Sequence, residues 1–160
     1  MFMPRKGLVK PREPEIDPIY KSRLVTKLIN RTMFDGKKSV AQKEVYGAFE
    51  VIEKKGEEPM KVFSQAIENI KPQTEVRSRR VGGAAYQIPM PVKGRRRETL
   101  ALRWLINASR LRSNSEFHTF AEKLAAEIND AAAGVGGAVK KRQEMERIAE
   151  ANRAFSHFRW

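Results

Sequence analysis

Residues Val76 to Arg97 contain no Asp or Glu, yet they carry Arg77, Arg79, Arg80, Lys93, Arg95, Arg96 and Arg97. At the centre of this stretch, Val81-Gly82-Gly83-Ala84 is a turn signal between two alternating segments. Glycines there supply the positive φ that tight hairpin loops demand. The pattern predicts a β-hairpin with strands over Thr74 to Arg80 and Ala84 to Val92, running into a basic helix start. Tyr86, Ile88, Met90 and Val92 share one face of the second strand by period two. Pro89 and Pro91 cannot donate to a central ladder, so the hairpin is an edge or an isolated ribbon. A ribbon projecting from the body suits both. Seven cations with no counter-charge inside the segment need an outside anion, and a polyanion is the obvious one. A solvated basic loop is the blander alternative, and the strand pattern argues against it.

The whole chain shares this bias. Its 160 residues carry 32 Lys plus Arg against 19 Asp plus Glu, a net charge of +13. That length is one domain's worth, and 41% hydrophobic residues suffice for one core. Nucleic acid fits the charge best, because closely spaced phosphates release many counterions at once. An anionic membrane is disfavoured: no long apolar run exists, and the helices use their apolar faces for a core. The absence of cysteine excludes disulfides, thiolate catalysis and zinc-cysteine sites. The start, Met1-Phe2-Met3-Pro4-Arg5-Lys6, has no apolar h-region. It is acid-poor up to Arg12, as transit peptides are, but Pro4, Pro11 and Pro14 argue for an extended arm over residues 1–17. Arg5, Lys6, Lys10 and Arg12 of this arm are placed to order against RNA or DNA.

The remainder reads as helices. Asp17-Pro18 is a helix-start signal. Leu24, Val25, Leu28 and Ile29 follow as an apolar stripe, and Arg23, Lys27 and Arg31 recur on another face. Phe34-Asp35-Gly36 breaks this helix. Ser39 and Gln42 have capping-box spacing for a second helix, with Ala41, Val45, Ala48, Phe49 and Ile52 inward and Gly56 at its end. Pro59 opens a third helix, with Val62, Phe63, Ala66, Ile67 and Ile70 inward, and Pro72 closes it. A fourth runs from about Glu98 to Leu111, with Leu102, Leu105, Ile106 and Leu111 toward the core. If it reaches back to Arg96, then Arg96, Arg103 and Arg110, seven apart, form one cationic stripe beside Asn107. Ser113 or Ser115 is the expected cap of a fifth helix carrying Phe117, Phe120, Ala121, Leu124 and Ile128. Gly134, Gly136 and Gly137 interrupt, and a last helix covers about Ala138 to Phe155. The expected architecture is mainly α: a six-helix, bundle-like domain over residues 18–160 with one projecting β-hairpin near 74–92 and the basic arm before it.

Catalytic motifs fail on inspection. Gly36-Lys37-Lys38-Ser39 lacks the earlier glycine, the adjacent Ser or Thr and the preceding strand of a phosphate loop. A helix start with two lysines still suits a backbone phosphate. Gly134-Val135-Gly136-Gly137 follows a helix, so it is a helix-breaking loop and no dinucleotide turn. Lys140, Lys141 and Arg142 open the next helix, where cations oppose the dipole; this favours binding over stability as their role. His118 and His157 lack partners at metal-ligand spacing, and no Ser-His-Asp set is legible. No cofactor or metal is expected. Tyr86, Trp104 and Trp160 are candidates for stacking on bases, with ordinary packing as the alternative.

Several runs are specific enough to name a family. Asp35-Gly36-Lys37-Lys38-Ser39 and Glu75-Val76-Arg77-Ser78-Arg79-Arg80-Val81-Gly82-Gly83-Ala84-Ala85-Tyr86-Gln87-Ile88-Pro89 are the first two. Leu102-Arg103-Trp104-Leu105, Ala138-Val139-Lys140-Lys141-Arg142 and the ending from Ala149 to Trp160 complete the set. Together, in this order, the chain resembles small-subunit ribosomal protein seven of the bacterial and organelle type. The resemblance implies a six-helix domain with a β-ribbon, which agrees with the independent reading. It further implies binding to the 3′ major domain of small-subunit ribosomal RNA and nucleation of head assembly. The ribbon tip, Arg79, Arg80, Val81, Gly82, Gly83 and Ala84, then lies by exit-site transfer RNA near the messenger path. Cations expected to meet ribosomal RNA are Arg5, Lys6, Lys10, Arg12, Lys27, Arg31, Lys37, Lys38, Arg77, Arg95, Arg96, Arg97, Arg103, Arg110, Lys140, Lys141 and Arg142. Neighbouring small-subunit proteins are implied partners, and the ribosome of a cytoplasm, or of an organelle matrix or stroma, is the implied location. Ser113 to Phe120 departs from the commoner Lys- and Glu-rich form, and Phe158 stands where Tyr is frequent. Two further readings from the charge are a DNA-architectural protein, using the ribbon as a minor-groove arm with Pro89 and Pro91 as a wedge, and an RNA-modifying enzyme, for which no pocket motif exists.

Overall fold

A computed structural model describes residues 13–158. The expected arm cations Arg5, Lys6, Lys10 and Arg12, and Trp160, lie outside them. Six α-helices and one hairpin follow in order: α1 Arg23–Thr32, α2 Lys38–Glu53, α3 Pro59–Ile70, β1 Thr74–Val81, β2 Ala84–Pro91, α4 Arg95–Leu111, α5 Phe120–Ala132 and α6 Gly137–Ala151, then a 3₁₀ helix Arg153–Phe158. The core lies where α5 packs against α2, α3 and α4. Phe49, Phe63, Ile67, Leu105, Leu124 and Ile128 are all fully buried there, each burial contributing about 1.5–3 kcal/mol.

The first helix starts later than Asp17-Pro18 suggests. The Asp17 carboxylate does cap local backbone, accepting from Ile19 N at 3.2 Å and Tyr20 N at 2.9 Å. Lys21, at φ +49, then turns the chain before α1 begins at Arg23. Asp17 is buried because Tyr46 on α2 donates its hydroxyl to it at 2.7 Å. Glu13 reaches Arg23 at 3.1 Å. Glu13 and Asp17 therefore tie residues 13–17 to the body.

Three other helix ends differ. At α2, Lys37 is the cap and Lys38 the first helical residue, so Ser39 sits inside the first turn and forms no capping box. Gln42 donates instead to Tyr46 Oη at 2.8 Å. At α5 the box is made by Thr119 and Glu122, six and four residues beyond the serines expected to cap it. Ser113 and Ser115 hydrogen-bond each other in the preceding loop. Phe117 belongs to that loop and is half-buried beneath Arg112. α6 ends at Ala151, and its last expected turn is 3₁₀. Leu111, expected in the core, is 87% exposed at the end of α4.

The Thr119 and His118 backbone N–H groups, in that order of importance, hold the Glu122 carboxyl below the usual carboxylate range. A depressed folded pKa stabilises fully above the unfolded value of about 4.3 and is lost as pH falls through the folded value. Thermal melting followed below pH 5 will therefore show a steeper acid loss in the wild type than in Glu122→Gln. Superimposable pH profiles would refute the capping role.

The hairpin forms in the expected register, with Val81 opposite Ala84, Arg79 opposite Tyr86 and Val76 opposite Pro89. Gly82 and Gly83 take φ +60 and +89, as a two-residue primed turn requires. The ribbon's base rests on α6, and β2 lies on the 3₁₀ helix. Ile88 is fully buried and Val92 nearly so. Tyr86 packs on Phe155 and Phe158, with ring centroids 5.2 and 5.6 Å away. That packing needs only the ring at Phe158, so the missing tyrosine hydroxyl has no consequence there. Gly82, Gly83 and Ala84 at the tip remain exposed, as do Arg79 and Arg80.

Candidate nucleic-acid interface

Ion pairing divides the cations into two sets. Part of the acid-free segment is neutralised from outside itself. Glu75, one residue before it and only 5% exposed, accepts from Arg77 Nε at 2.6 Å and Arg96 Nε at 2.7 Å. Glu13 takes Arg95 at 2.5 Å. Arg97 donates to the Pro72 carbonyl at 3.1 Å. Lys27 pairs with Glu98, Lys141 with Glu144, and Arg142 with Glu146. The expectation that this segment lacks counter-charge therefore holds along the sequence and fails in space.

The second set is unneutralised. Among the described residues, Arg31, Lys37, Lys38, Arg103, Arg110 and Lys140 belong to it, as do Lys21, Lys43, Lys54, Lys55, Lys93 and Arg147: none makes an ion pair, and all are exposed; the first six bear on the expected interface. Helix α4 organises them. It begins at Arg95, three residues before the expected start, so Arg96, Arg103 and Arg110 do align at seven-residue spacing. Arg96 is occupied by Glu75, which leaves Arg103 and Arg110 available. Toward α6, Arg103, Asn107, Leu111 and Lys141 border a groove of about 590 Å³. Toward α1, Thr99 and Leu102 share a hollow of about 460 Å³ with Lys27, Asn30 and Arg31.

Arg110 joins these surfaces to the turn before α2. Its Nη2 donates to the Thr32 carbonyl at 3.1 Å, and its guanidinium lies 4.0 Å over the Phe34 ring. Burial, and then the nearby Arg31 charge, lower its pKa. Two like charges this close favour an anion between them. Lys37 and Lys38 sit on the same turn, where Asp35 and Gly36 adopt φ +51 and +75.

At the α5–α6 junction, buried Glu127 accepts from Ala138 N at 2.8 Å and from Arg112 Nε at 2.8 Å. A Cβ at Gly136 would stand 3.0 Å from that carboxylate, at φ +97, so glycine is required there. This contact places the first turn of α6, and with it Lys140, beside α4.

Of the aromatic candidates, Trp104 is 7% exposed and packs in the core, and Tyr86 is engaged by the 3₁₀ helix. Neither presents a free stacking face. Sequence reading passed over Phe34, treating it only as part of a helix break, although it is 63% exposed. The adjacent Asp-Gly turn was the available signal: an apolar ring beside it has no core to enter. Among the described residues, no group of three or more His, Asp or Glu could hold a metal, and no helix is long and apolar enough to cross a membrane.

A helical scaffold that engages one set of cations with its acids and leaves another set bare is a basic scaffold suited to a polyanionic partner. Residues 4–153 match the family model described as ribosomal protein S7p/S5e, and the chain belongs to that family. It is 56% identical over 159 residues to the small ribosomal subunit protein uS7 of Carboxydothermus hydrogenoformans, covering 99% of this chain and 100% of that one. Identity to the proteins of the same description from Thermodesulfovibrio yellowstonii and from a Sulfurihydrogenibium species is 58% and 57%, with the same coverage. The family is a structural, non-enzymatic constituent of the small ribosomal subunit, with RNA binding and translation as general properties. These relatives are bacterial, and nothing supports the organelle alternative.

Proposed function

We propose that this protein binds the 3′ major domain of small-subunit ribosomal RNA in a bacterial cytoplasm and nucleates assembly of the head. The observation that carries this reading is the set of unneutralised cations on α1, the α1–α2 turn, α4 and α6. Each bare cation replaces condensed counterions on a phosphate, and the packed helices hold the cations at fixed separations. Shape and single-stranded junctions supply selectivity, since side chains cannot read the deep groove of duplex RNA. Lys27, Arg77, Arg95, Arg96, Arg97, Lys141 and Arg142 assist as half-neutralised or oriented neighbours, and Arg5, Lys6, Lys10 and Arg12 extend the contact. The tip, Arg79 to Ala84, reaches exit-site transfer RNA near the messenger path; its glycine turn lets backbone approach a nucleic acid closely. The minor-groove alternative loses its wedge: Pro89 and Pro91 lie toward the ribbon's base, opposite Val76 and Thr74, and Pro89 is buried.

Filter binding to a 3′-domain fragment across a salt series tests the proposal. With about eight phosphates neutralised, log affinity will fall against log salt at a slope of about −6 to −7. A slope shallower than about −2, or tighter binding to duplex DNA at equal salt, would contradict it.

A further inference from the structure

Between the α1–α2 turn and the far end of α4 lies an open, mostly apolar hollow of about 390 Å³. Phe34, Val40, Ala41 and Phe120 form its walls, with Thr32, Lys37, Glu44 and Arg110 around them. Its volume falls within the range of small-molecule sites. Three features set it apart from an accidental dent. Phe34 and Val40 are 63% and 56% exposed and both stand in the walls of one hollow. Thr32, only 7% exposed, has a hydroxyl without a hydrogen-bond partner among the described residues. One side of the Phe34 ring carries a planar guanidinium 4.0 Å from its centroid, and the ring is 63% exposed despite that cover, so its uncovered surface is open to stacking.

We propose that this hollow takes one unstacked nucleobase of a bound RNA strand, with Phe34 as its stacking platform. The inference rests on the RNA-binding reading above and deepens it. Charge selects the occupant. Lys37 and Arg110 line the hollow without acid partners among the described residues, and Arg31 and Lys38, also unpaired, stand in the chain on either side of the turn. The carboxylate that lines it, Glu44, is engaged by the Ala121 N–H at 3.0 Å. Asp35 is the one other acid on the turn, and it is exposed. An apolar side chain from a protein partner would fit the walls and leave the two lining cations unanswered. A nucleotide satisfies both: the base enters the apolar space, and its flanking phosphates meet the cations. Arg110, held by the Thr32 carbonyl at 3.1 Å, sits where it can cover the base or grip the adjoining phosphate.

Stacking and phosphate contact separate in a salt series, because stacking releases no counterions. The test measures affinity of the full chain for the 3′-domain RNA fragment against salt, for wild type and for Phe34→Ala, Phe34→Leu and Phe34→Trp. Phe34 lies on an exposed turn outside the core, and Phe34→Leu keeps apolar bulk without a ring. Phe34→Ala and Phe34→Leu will each bind about 5- to 150-fold more weakly at every salt concentration, with the slope unchanged. Phe34→Trp will restore affinity, and its added indole emission will be quenched by the RNA. Full rescue by leucine, undiminished binding by Phe34→Ala, or an unquenched tryptophan would each overturn the base site while leaving the RNA-binding reading intact. A wild type that shows no steep salt dependence would overturn both.

Discussion

Alanine at Lys37, Lys38 and Arg103 together will weaken binding to the 3′-domain RNA fragment about 100-fold at 0.15 M salt and flatten the salt slope by about 2 to 3. Each of these cations is exposed and unpaired among the described residues. A phosphate contact contributes about 0.7–0.9 to the slope, which at 0.15 M is roughly a four- to five-fold factor in affinity, and three such factors multiply. Alanine at Arg77, Arg95 and Arg96 is the comparison, read on protein whose melting curve shows it folded, because the change leaves the buried Glu75 carboxylate without its two ion-pair partners. These three also remove three charges, but the two carboxylates Glu75 and Glu13 already offset two of them, so the slope will change by about 1 and not by 2 to 3. Removing Arg79 to Ala84 will likewise spare RNA affinity and assembly more than the first triple change does. Equal losses in all three variants would mean that net charge alone governs binding and that the pairing pattern is irrelevant.

Replacing Glu127 by Ala will lower the melting temperature by about 6–12 °C. The side chain is 1% exposed and answers two donors from different elements, Ala138 N on α6 and Arg112 after α4. Its loss strands a buried N–H and half-strands Arg112, which keeps Asp130. Breaking a buried pair costs about 3–5 kcal/mol, and the surviving Asp130 contact places this one near the lower figure. For a chain of this size each kcal/mol moves the midpoint by about 2–4 °C. Glu127→Gln preserves an acceptor for Ala138 and will lose roughly half as much. A shift under about 3 °C for the alanine variant, measured by calorimetry, would show that the α5–α6 junction is held by packing alone.

The legible parts were those decided within a few neighbouring residues. Helix interiors followed their apolar stripes, Pro59 opened α3, and the Gly82-Gly83 turn set the hairpin register. Helix ends were less legible, because several residues compete for each cap. Ser113, Ser115 and Thr119 all qualify by type. Reciprocal spacing does not separate Ser113 from Thr119, since Glu116 follows the one as Glu122 follows the other; Lys123, which ties the serine loop to Arg112 O, leaves Thr119 as the cap. Leu111 matched the core period of α4 and is nonetheless exposed, since the helix outruns its partners by its last turn. At the candidate interface the residue types were legible and their electrostatic state was not. Arg96 and Arg103 look alike in the chain; one is held by Glu75, twenty-one residues away, and the other by nothing among the described residues. Phe34 escaped notice because exposure is a property of the assembled surface.

The sequence by itself determined a mainly helical domain with one glycine-turned basic ribbon, and an excess of positive charge that needs a polyanion. Those features follow from backbone preferences, residue periodicity and summed charge, none of which requires knowing what lies opposite. Only the tertiary structure decided which cations remain bare, that the ribbon is fastened to the C-terminal rings by Tyr86, two pairs from its turn, and that Phe34 and Arg110 overhang a hollow. Coulomb attraction and desolvation depend on distances of a few ångströms between residues far apart in the chain, and folding alone sets those distances.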